Sequence, residues 1–274
     1  TFHGTYNFTS KIKKFYNSIM VRSDLVIAGS NFIFSHISEN YGNFFLKNNR
    51  KLLVIFRGIN TNFFNSQKIL PIKLEKFSKQ NNIDRNKFII LLPGRLTNWK
   101  GQKVFIEAIK QLNKRSDIPS FEAIILGSDQ GRKVYKKKLI DLVHQHRLSK
   151  VIKFIEHCAE MPIAYGIANI VCSCSLEPEA FGRVAVEAQS MQLPIVASNI
   201  GGSKETIVEG KTGYLFKNND PFDLANLIAT VMTKDYNSVK TIGFEGRKNV
   251  LKKFDVDKMC QTTFTEYKKL IELS

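Results

Sequence analysis

The sequence predicts an α/β protein with parallel strands, and three observations carry this prediction. Short apolar runs alternate with amphipathic stretches of about 10–15 residues, which is the pattern of βαβ units. The composition, with 43% hydrophobic and 24% charged residues, is that of a folded globular protein. The length of 274 residues corresponds to two domains of about 150 residues each. We therefore expect two domains built on parallel sheets flanked by helices.

The amino-terminal part is predicted to contain two helices and two short strands. Ser30 is well placed to cap the second helix, because its hydroxyl can accept from a backbone amide of the first turn. The polar stretch 60–71 ends in Pro71 and is a predicted linker. The predicted elements here are helices over 11–22 and 31–41 and strands over Leu25–Ala28 and Leu52–Phe56.

The rest of the chain alternates more regularly between strands and helices. Its helices are predicted from apolar residues that recur every three or four positions, and Asp220 is placed to cap one of them. The predicted strands are Phe88–Leu92, Phe121–Leu126, Val151–Ile155, Ile170–Cys174 and Ile195–Ala197. The predicted helices are Val104–Arg115, 133–147, Ile163–Ile167, Arg183–Met191, Ser203–Val208, Pro221–Met232, 239–250 and 256–272.

The net charge of +17 favours anionic partners. The basic residues are dispersed and are not interleaved with aromatic residues as on a nucleic-acid platform, so we expect no nucleic-acid partner. An anionic membrane surface stays open as a partner. No apolar run approaches the roughly 18 residues that a membrane span requires. Four cysteines in a chain of this length do not form a disulfide scaffold, which indicates a reducing compartment.

The loop after the strand Phe88–Leu92 is the first candidate site. Ligands of parallel sheets bind beyond the carboxyl ends of the strands, next to helix N-termini with unpaired backbone amides. This loop carries Arg95 and Lys100. A guanidinium fork and an ammonium group are the two cation types that bind a diphosphate. The alternative is that both are ordinary surface cations.

The loop after the strand Ile170–Cys174 carries a pair of carboxylates. Glu179 stands in the loop, and Glu187 lies about one turn inside the following helix. Both can border one pocket, where a carboxylate could accept hydrogen bonds from a vicinal diol. The alternatives are that Glu179 caps the helix entrance and that Glu187 lies on a solvated helix face.

The loop after the strand Ile195–Ala197 contains Gly201-Gly202, which would let the backbone approach a ligand closely. Glu205 follows in the short helix, and its alternative role is to cap that helix.

Taken together, these loops resemble the donor domain of glycosyltransferase family 4, which has the GT-B fold. The resemblance rests on the order G-R-x4-K-G, E-x-F-G-x4-E-A, G-G-x2-E and then G-x-T-G-x-L at 210–215. Runs such as Phe2-His3-Gly4 and Arg57-Gly58-Ile59-Asn60 are similar to bacterial lipopolysaccharide-core mannosyltransferases of that family. The resemblance covers nearly the whole chain.

The resemblance implies a Rossmann-like nucleotide-sugar-binding domain over 69–250 and a partial acceptor-side domain over 1–68. The terminal helix, within 251–274, is expected to cross back to the acceptor-side domain. In a complete member of the family, His3-Gly4 falls about halfway through the first domain. The chain would therefore lack roughly the first 100 residues, for a domain of ordinary size.

The activity implied by the resemblance is transfer of a sugar from a nucleotide-sugar donor with retention of anomeric configuration. Mannose from a GDP-linked donor is expected, followed by UDP-linked sugars, with a lipopolysaccharide-core or related lipid-linked glycan as acceptor. No cofactor or metal is expected, and Asp255-Val256-Asp257 is expected to cap the terminal helix. The expected location is the cytoplasm, peripherally at the inner face of the cytoplasmic membrane. The alternatives are a non-catalytic nucleotide-sugar-binding fragment and a phosphorylase or epimerase on the same frame.

The resemblance also implies roles for individual residues. Arg95 and Lys100 would bind the diphosphate, Glu187 the ribose hydroxyls, and Glu179 the donor sugar. His157 would lie near the base, and His3 near the reaction centre on the acceptor side. The residues with an implied role are Glu179 and His3 for catalysis, and Arg95, Lys100, Glu187, Phe181, Gly182, His157, Gly201 and Gly202 for donor binding.

Overall fold

The computed structural model describes residues 1–5, 10–48 and 50–272, except for the side chains at 11, 44 and 46–48, and it contains two separate parallel sheets. The first sheet consists of two strands, and Phe2 adds one parallel bridge to Ala28 at its edge. The elements of this part are α1 (Lys11–Asn17), a 3-10 turn (Ser18–Val21), β1 (Leu25–Ala28), α2 (Asn31–Asn48) and β2 (Lys51–Val54).

The second sheet has six parallel strands in the order β5-β4-β3-β6-β7-β8. Its strands are β3 (Phe88–Pro93), β4 (Phe121–Leu126), β5 (Ile152–Ile155), β6 (Ile170–Ser173), β7 (Ile195–Ser198) and β8 (Tyr214–Phe216). Its helices are α3 (Pro71–Gln80), α4 (Gln102–Leu112), α5 (Lys133–Gln145), α6 (Met161–Gly166), α7 (Arg183–Ser190), α8 (Ser203–Thr206), α9 (Pro221–Thr233) and α10 (Tyr236–Lys253). The α/β fold class with parallel strands is confirmed.

Helices cover both faces of the six-stranded sheet. Successive side chains of a strand point to opposite faces. Ile90 and Leu92 of β3 accordingly pack with α4, α5 and α9, whereas Ile89 and Leu91 pack with α6, α7 and α10. Burial on both faces explains why β3 is a continuous apolar run that could be recognised in the sequence.

The terminal helix α11 (Val256–Glu272) lies against the two-stranded sheet. Ile59 forms a parallel bridge with Asp255 just before α11 begins, and Lys51 of β2 forms an ion pair with Glu266 at 2.6 Å. Asp255 Oδ1 accepts from the Asp257 amide at 2.9 Å, so Asp255 caps this helix as expected. None of the described helices is long and apolar enough to cross a membrane.

Two elements were missed in the sequence, and several bounds differ. Helix α3 begins at Pro71, a residue that can end an element but whose fixed φ also suits the first position of a helix. The stretch 60–71 is therefore not a plain linker: it contains a 3-10 turn at Ser66–Lys68 and runs into α3. Strand β8 has only three residues, too few for a periodic signal. Helices α2 and α10 extend well beyond the predicted 31–41 and 239–250.

Candidate active site

The loops after β3 and β6 meet at the topological switch point of the six-stranded sheet. The chain passes from β3 to β4 and β5 on one side and from β6 to β7 and β8 on the other. Open parallel sheets bind ligands in the crevice that such a reversal creates. Gly101 brings the two loops together, because its φ is +69° and an added Cβ would lie 1.8 Å from the Cys174 carbonyl oxygen. Only glycine permits this approach.

A cavity of about 380 Å³, here called the groove, opens between these loops and the two-stranded sheet. Four cationic side chains and one carboxylate line it, and they come from both sheets. Arg57 follows β2, Arg95 and Lys100 follow β3, and Arg183 begins α7, with Glu179 as the carboxylate. The predicted residues that line the groove are His3, Arg95, Lys100, Glu179, Phe181 and Gly182.

Lys100 and Glu179 form a direct ion pair in the groove. Lys100 Nζ lies 2.7 Å from Glu179 Oε1, with side chains only 15% and 11% exposed. Ser175 Oγ also donates to Glu179, and the Lys100 ammonium lies 4.3 Å from the centroid of the Trp99 ring. Lys100 is therefore not an ordinary surface cation. Glu179 does not cap α7, whose N-cap is Gly182.

A second cavity of about 360 Å³, here called the inner pocket, lies beyond the carboxyl ends of β3, β4 and β5. Arg95 lines both this pocket and the groove. Glu187, His157 and Tyr165 also line the inner pocket. Arg95, Glu187 and His157, to which the resemblance assigns contacts with the donor, therefore line one cavity.

Glu187 is 8% exposed and is held by two donors. Tyr165 Oη donates to Glu187 Oε2 and Arg183 Nε donates to Glu187 Oε1, both at 2.8 Å. The alternative of a solvated helix face is wrong, because this side of α7 faces the buried Tyr165 of α6. Buried carboxylates persist where hydrogen bonds offset their desolvation.

Gly201 and Gly202 lie behind the Glu179 loop and line neither the groove nor the inner pocket. The Gly202 amide donates to the Glu179 carbonyl oxygen at 2.8 Å, and a Cβ on Gly202 would lie 2.5 Å from the Phe181 carbonyl carbon. The close backbone approach expected for a ligand is thus made to a neighbouring loop. These glycines position the loop that carries Glu179 and Phe181.

Glu205 caps a helix of the other sheet rather than its own. Its carboxylate accepts from the Asn31 amide at 2.8 Å and from the Phe32 amide at 2.6 Å, at the start of α2. Ser30 Oγ donates to the Ala180 carbonyl oxygen at 2.5 Å and accepts from the Ile33 amide at 3.1 Å, as predicted for a cap. The start of α2 is therefore fastened to the loop that borders the groove.

His3 lines the groove at the edge of the two-stranded sheet, beside Phe2. Desolvation first, and then the charge of Arg57, lower the pKa of His3 below its usual range. The imidazole is therefore neutral near pH 7 and able to accept a proton. His3 and Arg57 also line a neighbouring cavity of about 400 Å³ walled by Ile27 of β1, by Ile55 just after β2 and by apolar residues of α11.

Three residues of the site were missed in the sequence: Arg57, Arg183 and Tyr165. Arg57 could have been found, because it follows a strand as Arg95 does, and the same rule applies to the two-stranded sheet. Arg183 was recognised only as the start of a helix. No pattern in the sequence distinguishes Tyr165 from an ordinary aromatic residue of the core. Among the described residues, no group of three His, Cys, Asp or Glu side chains is arranged to hold a metal ion.

The fold and the site define a class of protein. A six-stranded Rossmann-like sheet faces a second parallel sheet across a cationic groove, and this architecture matches GT-B glycosyltransferase structures. A family model described as glycosyl transferases group 1 matches residues 74–249, and the chain belongs to this family.

Solved structures and characterised relatives agree with this membership. A glycosyltransferase from Rickettsia africae is 33% identical with a TM-score of 0.90, covering 100% of this chain and 70% of the other. Anabaena Alr3699/HepE, solved in complex with UDP-glucose, is 27% identical with a TM-score of 0.82, covering 95% and 68%. A D-inositol 3-phosphate glycosyltransferase of Corynebacterium efficiens is 28% identical over 168 residues, which are 61% of this chain and 39% of that protein. The matched part thus spans about two-fifths of such a relative.

Proposed function

We propose that the chain binds a nucleotide-sugar and belongs to a retaining glycosyltransferase that transfers a hexose to a glycan acceptor. The observation that carries this proposal is the position of Arg95, which lines both the inner pocket and the groove. A diphosphate beside Arg95 would have its nucleoside in the inner pocket, near Glu187 and His157. Its sugar would lie in the groove, between Glu179 and His3.

The chemistry of the groove suits a diphosphate leaving group. During transfer the bond between the anomeric carbon and the terminal phosphate oxygen breaks, and the electron pair leaves with the diphosphate. A bond forms from the acceptor oxygen to the same carbon, and the acceptor proton passes to a phosphate oxygen or to the neutral imidazole of His3. Fixed cations stabilise this departing charge, and in a water-poor groove they act more strongly than in bulk solvent. No step in this scheme requires a metal ion, and we propose that transfer proceeds without one.

Two sources suggest different donors. The sequence resemblance favours GDP-mannose, whereas Anabaena Alr3699/HepE was solved with UDP and UDP-glucose. A thermal-shift panel of GDP, UDP, ADP and their sugars separates them. A ligand at 100 times its Kd stabilises the folded protein by roughly 2.7 kcal/mol. No stabilisation by any nucleoside diphosphate would overturn the proposal.

Arg95→Ala tests the assignment of the diphosphate. The change removes a charge-assisted contact of roughly 1.5–3 kcal/mol, so affinity for the diphosphate should fall about tenfold or more. A nucleoside without phosphates should bind the variant and the parent equally well. Arg115→Ala is the matched control, because Arg115 pairs with Asp117 on the surface and lines neither cavity. An equal loss for the nucleoside would contradict the assignment.

On the acceptor side we propose a lipopolysaccharide-core or related lipid-linked glycan, bound at an anionic membrane surface. Support comes from α1 and the turn after it, where Ile12, Phe15, Tyr16 and Ile19 are exposed beside lysines. Exposed apolar side chains beside cations are typical of interfacial helices. Binding to vesicles with anionic lipids, weakened by salt and absent with neutral lipids, would support this. Equal binding to both would contradict it.

The alternative of a non-catalytic binding fragment makes a different prediction. It expects donor binding with no release of sugar to acceptor or water. Family membership and the intact groove favour the transferase. Release of free nucleoside diphosphate from a bound nucleotide-sugar, lost in Glu179→Gln, would exclude the alternative.

A further inference from the structure

Tyr165 is a buried ionisable group to which the proposed function gives no role. Its side chain is 0% exposed, yet it contributes to the lining of the inner pocket, and its hydroxyl donates to Glu187 Oε2 at 2.8 Å. Burial first, and then the neighbouring Glu187 charge, raise the pKa of Tyr165 well above its usual range. The phenol therefore stays protonated and remains a donor at every physiological pH.

The hydrogen-bonding capacity of Glu187 makes this contact informative. A carboxylate has two oxygens and about four lone-pair sites. Tyr165 occupies one site on Oε2, and Arg183 occupies one site on Oε1. One site on each oxygen remains, and Glu187 lines the inner pocket. The two remaining acceptor sites equal in number the two hydroxyl donors of a ribose diol.

The two side chains that donate to Glu187 differ in how firmly they are held in place. The Arg183 side chain is 73% exposed, and an exposed pair contributes little to fixing a geometry. Arg183 also lines the groove, where an anionic ligand competes for its guanidinium. Tyr165 has no such freedom, because its ring packs edge-on against Phe64 with centroids 6.0 Å apart. The fixed donor to Glu187 is therefore Tyr165.

We infer that Tyr165 is a positioning residue: its buried hydroxyl holds the Glu187 carboxylate in the orientation that receives the two hydroxyls of the donor ribose. This inference rests on the proposed function. It assigns recognition of the diol to a pair of residues from α6 and α7, only one of which touches the ligand.

Tyr165→Phe is the direct test, because it removes one oxygen and keeps the ring. The measured quantity is the ratio of two dissociation constants, for the 2′,3′-dideoxy nucleoside diphosphate and for its parent ribonucleotide. The ratio should fall about tenfold in the variant, since a hydrogen bond to a charged group is lost, and affinity for the dideoxy analogue should not change. A Tyr165 that only fills the core would leave the ratio unchanged.

A double variant shows whether Tyr165 acts through Glu187. In a Glu187→Gln background, Tyr165→Phe should cause no further change in the ratio, because coupled residues do not act additively. Tyr135→Phe is the matched control: its hydroxyl bonds to Gln102 at 3.1 Å, outside the inner pocket, and the ratio should match the parent. Additive effects of the two changes would overturn the inference.

A second substitution covers the case in which Tyr165→Phe does not fold. Arg183→Ala removes the exposed donor to Glu187 and leaves Tyr165 in place, so the ratio should stay close to that of the parent. A tenfold fall in the ratio would show that Arg183 holds the carboxylate, and it would overturn the inference. The failures are distinguishable. A parent that binds no nucleoside diphosphate overturns the proposed function. A parent that prefers the ribonucleotide, with the same preference in Tyr165→Phe, overturns this inference alone.

Discussion

Glu205→Ala should loosen the start of α2 without disturbing the rest of either sheet. The carboxylate accepts from two backbone amides of α2 and from Asn31 Nδ2 at 2.9 Å. Loss of an N-cap costs about 0.5–2 kcal/mol of stability. Because hydrogen bonds to a carboxylate are stronger than those to a neutral oxygen, the cost for this cap should lie near the upper limit of that range. Ser30 retains its bond to the Ile33 amide, so the helix keeps part of its cap. We therefore expect a cost of about 2 kcal/mol.

Hydrogen exchange at single amides measures this cost where it arises. A loss of about 2 kcal/mol should speed exchange at the Asn31 and Phe32 amides roughly thirtyfold, at 1.4 kcal/mol per factor of ten. Asp220→Ala is the matched control. Asp220 caps α9, which packs on the six-stranded sheet, by accepting from the Phe222 and Asp223 amides. The control should speed exchange at α9 and leave Phe32 unchanged.

Two results would refute the reasoning. Unchanged exchange at Phe32 in Glu205→Ala would show that the cap is not formed in solution. Equal acceleration at Asn31 and at the first turn of α9 would show general destabilisation instead of a contact between the two sheets. Glu205→Gln separates charge from geometry, since Gln keeps one carbonyl acceptor and should recover part of the protection.

The remaining predictions concern the groove and the inner pocket. Glu187→Gln should remove most of the preference for a ribonucleotide over its 2′,3′-dideoxy analogue, measured by calorimetry; a change in that preference within about 0.5 kcal/mol would contradict the assignment of the ribose diol to Glu187. Lys100→Met should weaken the binding of a nucleoside diphosphate more than the binding of the corresponding nucleotide-sugar, because the nucleoside diphosphate carries one more negative charge. A bound nucleoside diphosphate should protect Cys158, which lines the inner pocket, from alkylation but not the exposed Cys260; equal protection would contradict the placement. If His3 acts as a neutral base, the transfer rate should decline on acidification only below pH 6.5, because the pKa of His3 is lowered from its ordinary value of 6.5.

Five of the six strands in the larger sheet could be predicted because each leaves a local signal. Buried on both faces, β3 is an unbroken apolar run and β4 is interrupted only by Glu122, and both end in glycine-containing loops. The carboxyl-end rule then pointed to Arg95, Lys100 and Glu179 without any knowledge of their distances. Local patterns fail where one residue type has two uses, as at Pro71, which begins α3 instead of ending a linker.

Contacts between distant parts of the chain left no signal in the sequence. Glu205 and Asn31 are 174 positions apart, so no capping pattern could join them. Tyr165 and Glu187 are 22 positions apart on different helices, and each has a common structural explanation when considered alone. Glu187 resembled a solvated residue because helical periodicity gives the face of a helix but not what packs against that face.

If the groove binds the donor as proposed, its charges explain how one site could accept a nucleotide-sugar and release a product of different charge. Among the described residues, Arg57 and Arg95 have no ion pair, whereas Lys100 and Arg183 are paired with Glu179 and Glu187. The two unpaired guanidinium groups match the two negative charges of a nucleotide-sugar diphosphate. When the sugar leaves, the diphosphate gains a third charge. Lys100 lies 2.7 Å from Glu179 and within the same groove, so it can be shared between the carboxylate and the departing phosphate. Because the ion pair already holds the ammonium in position, this stabilisation requires little reorganisation at the moment of transfer.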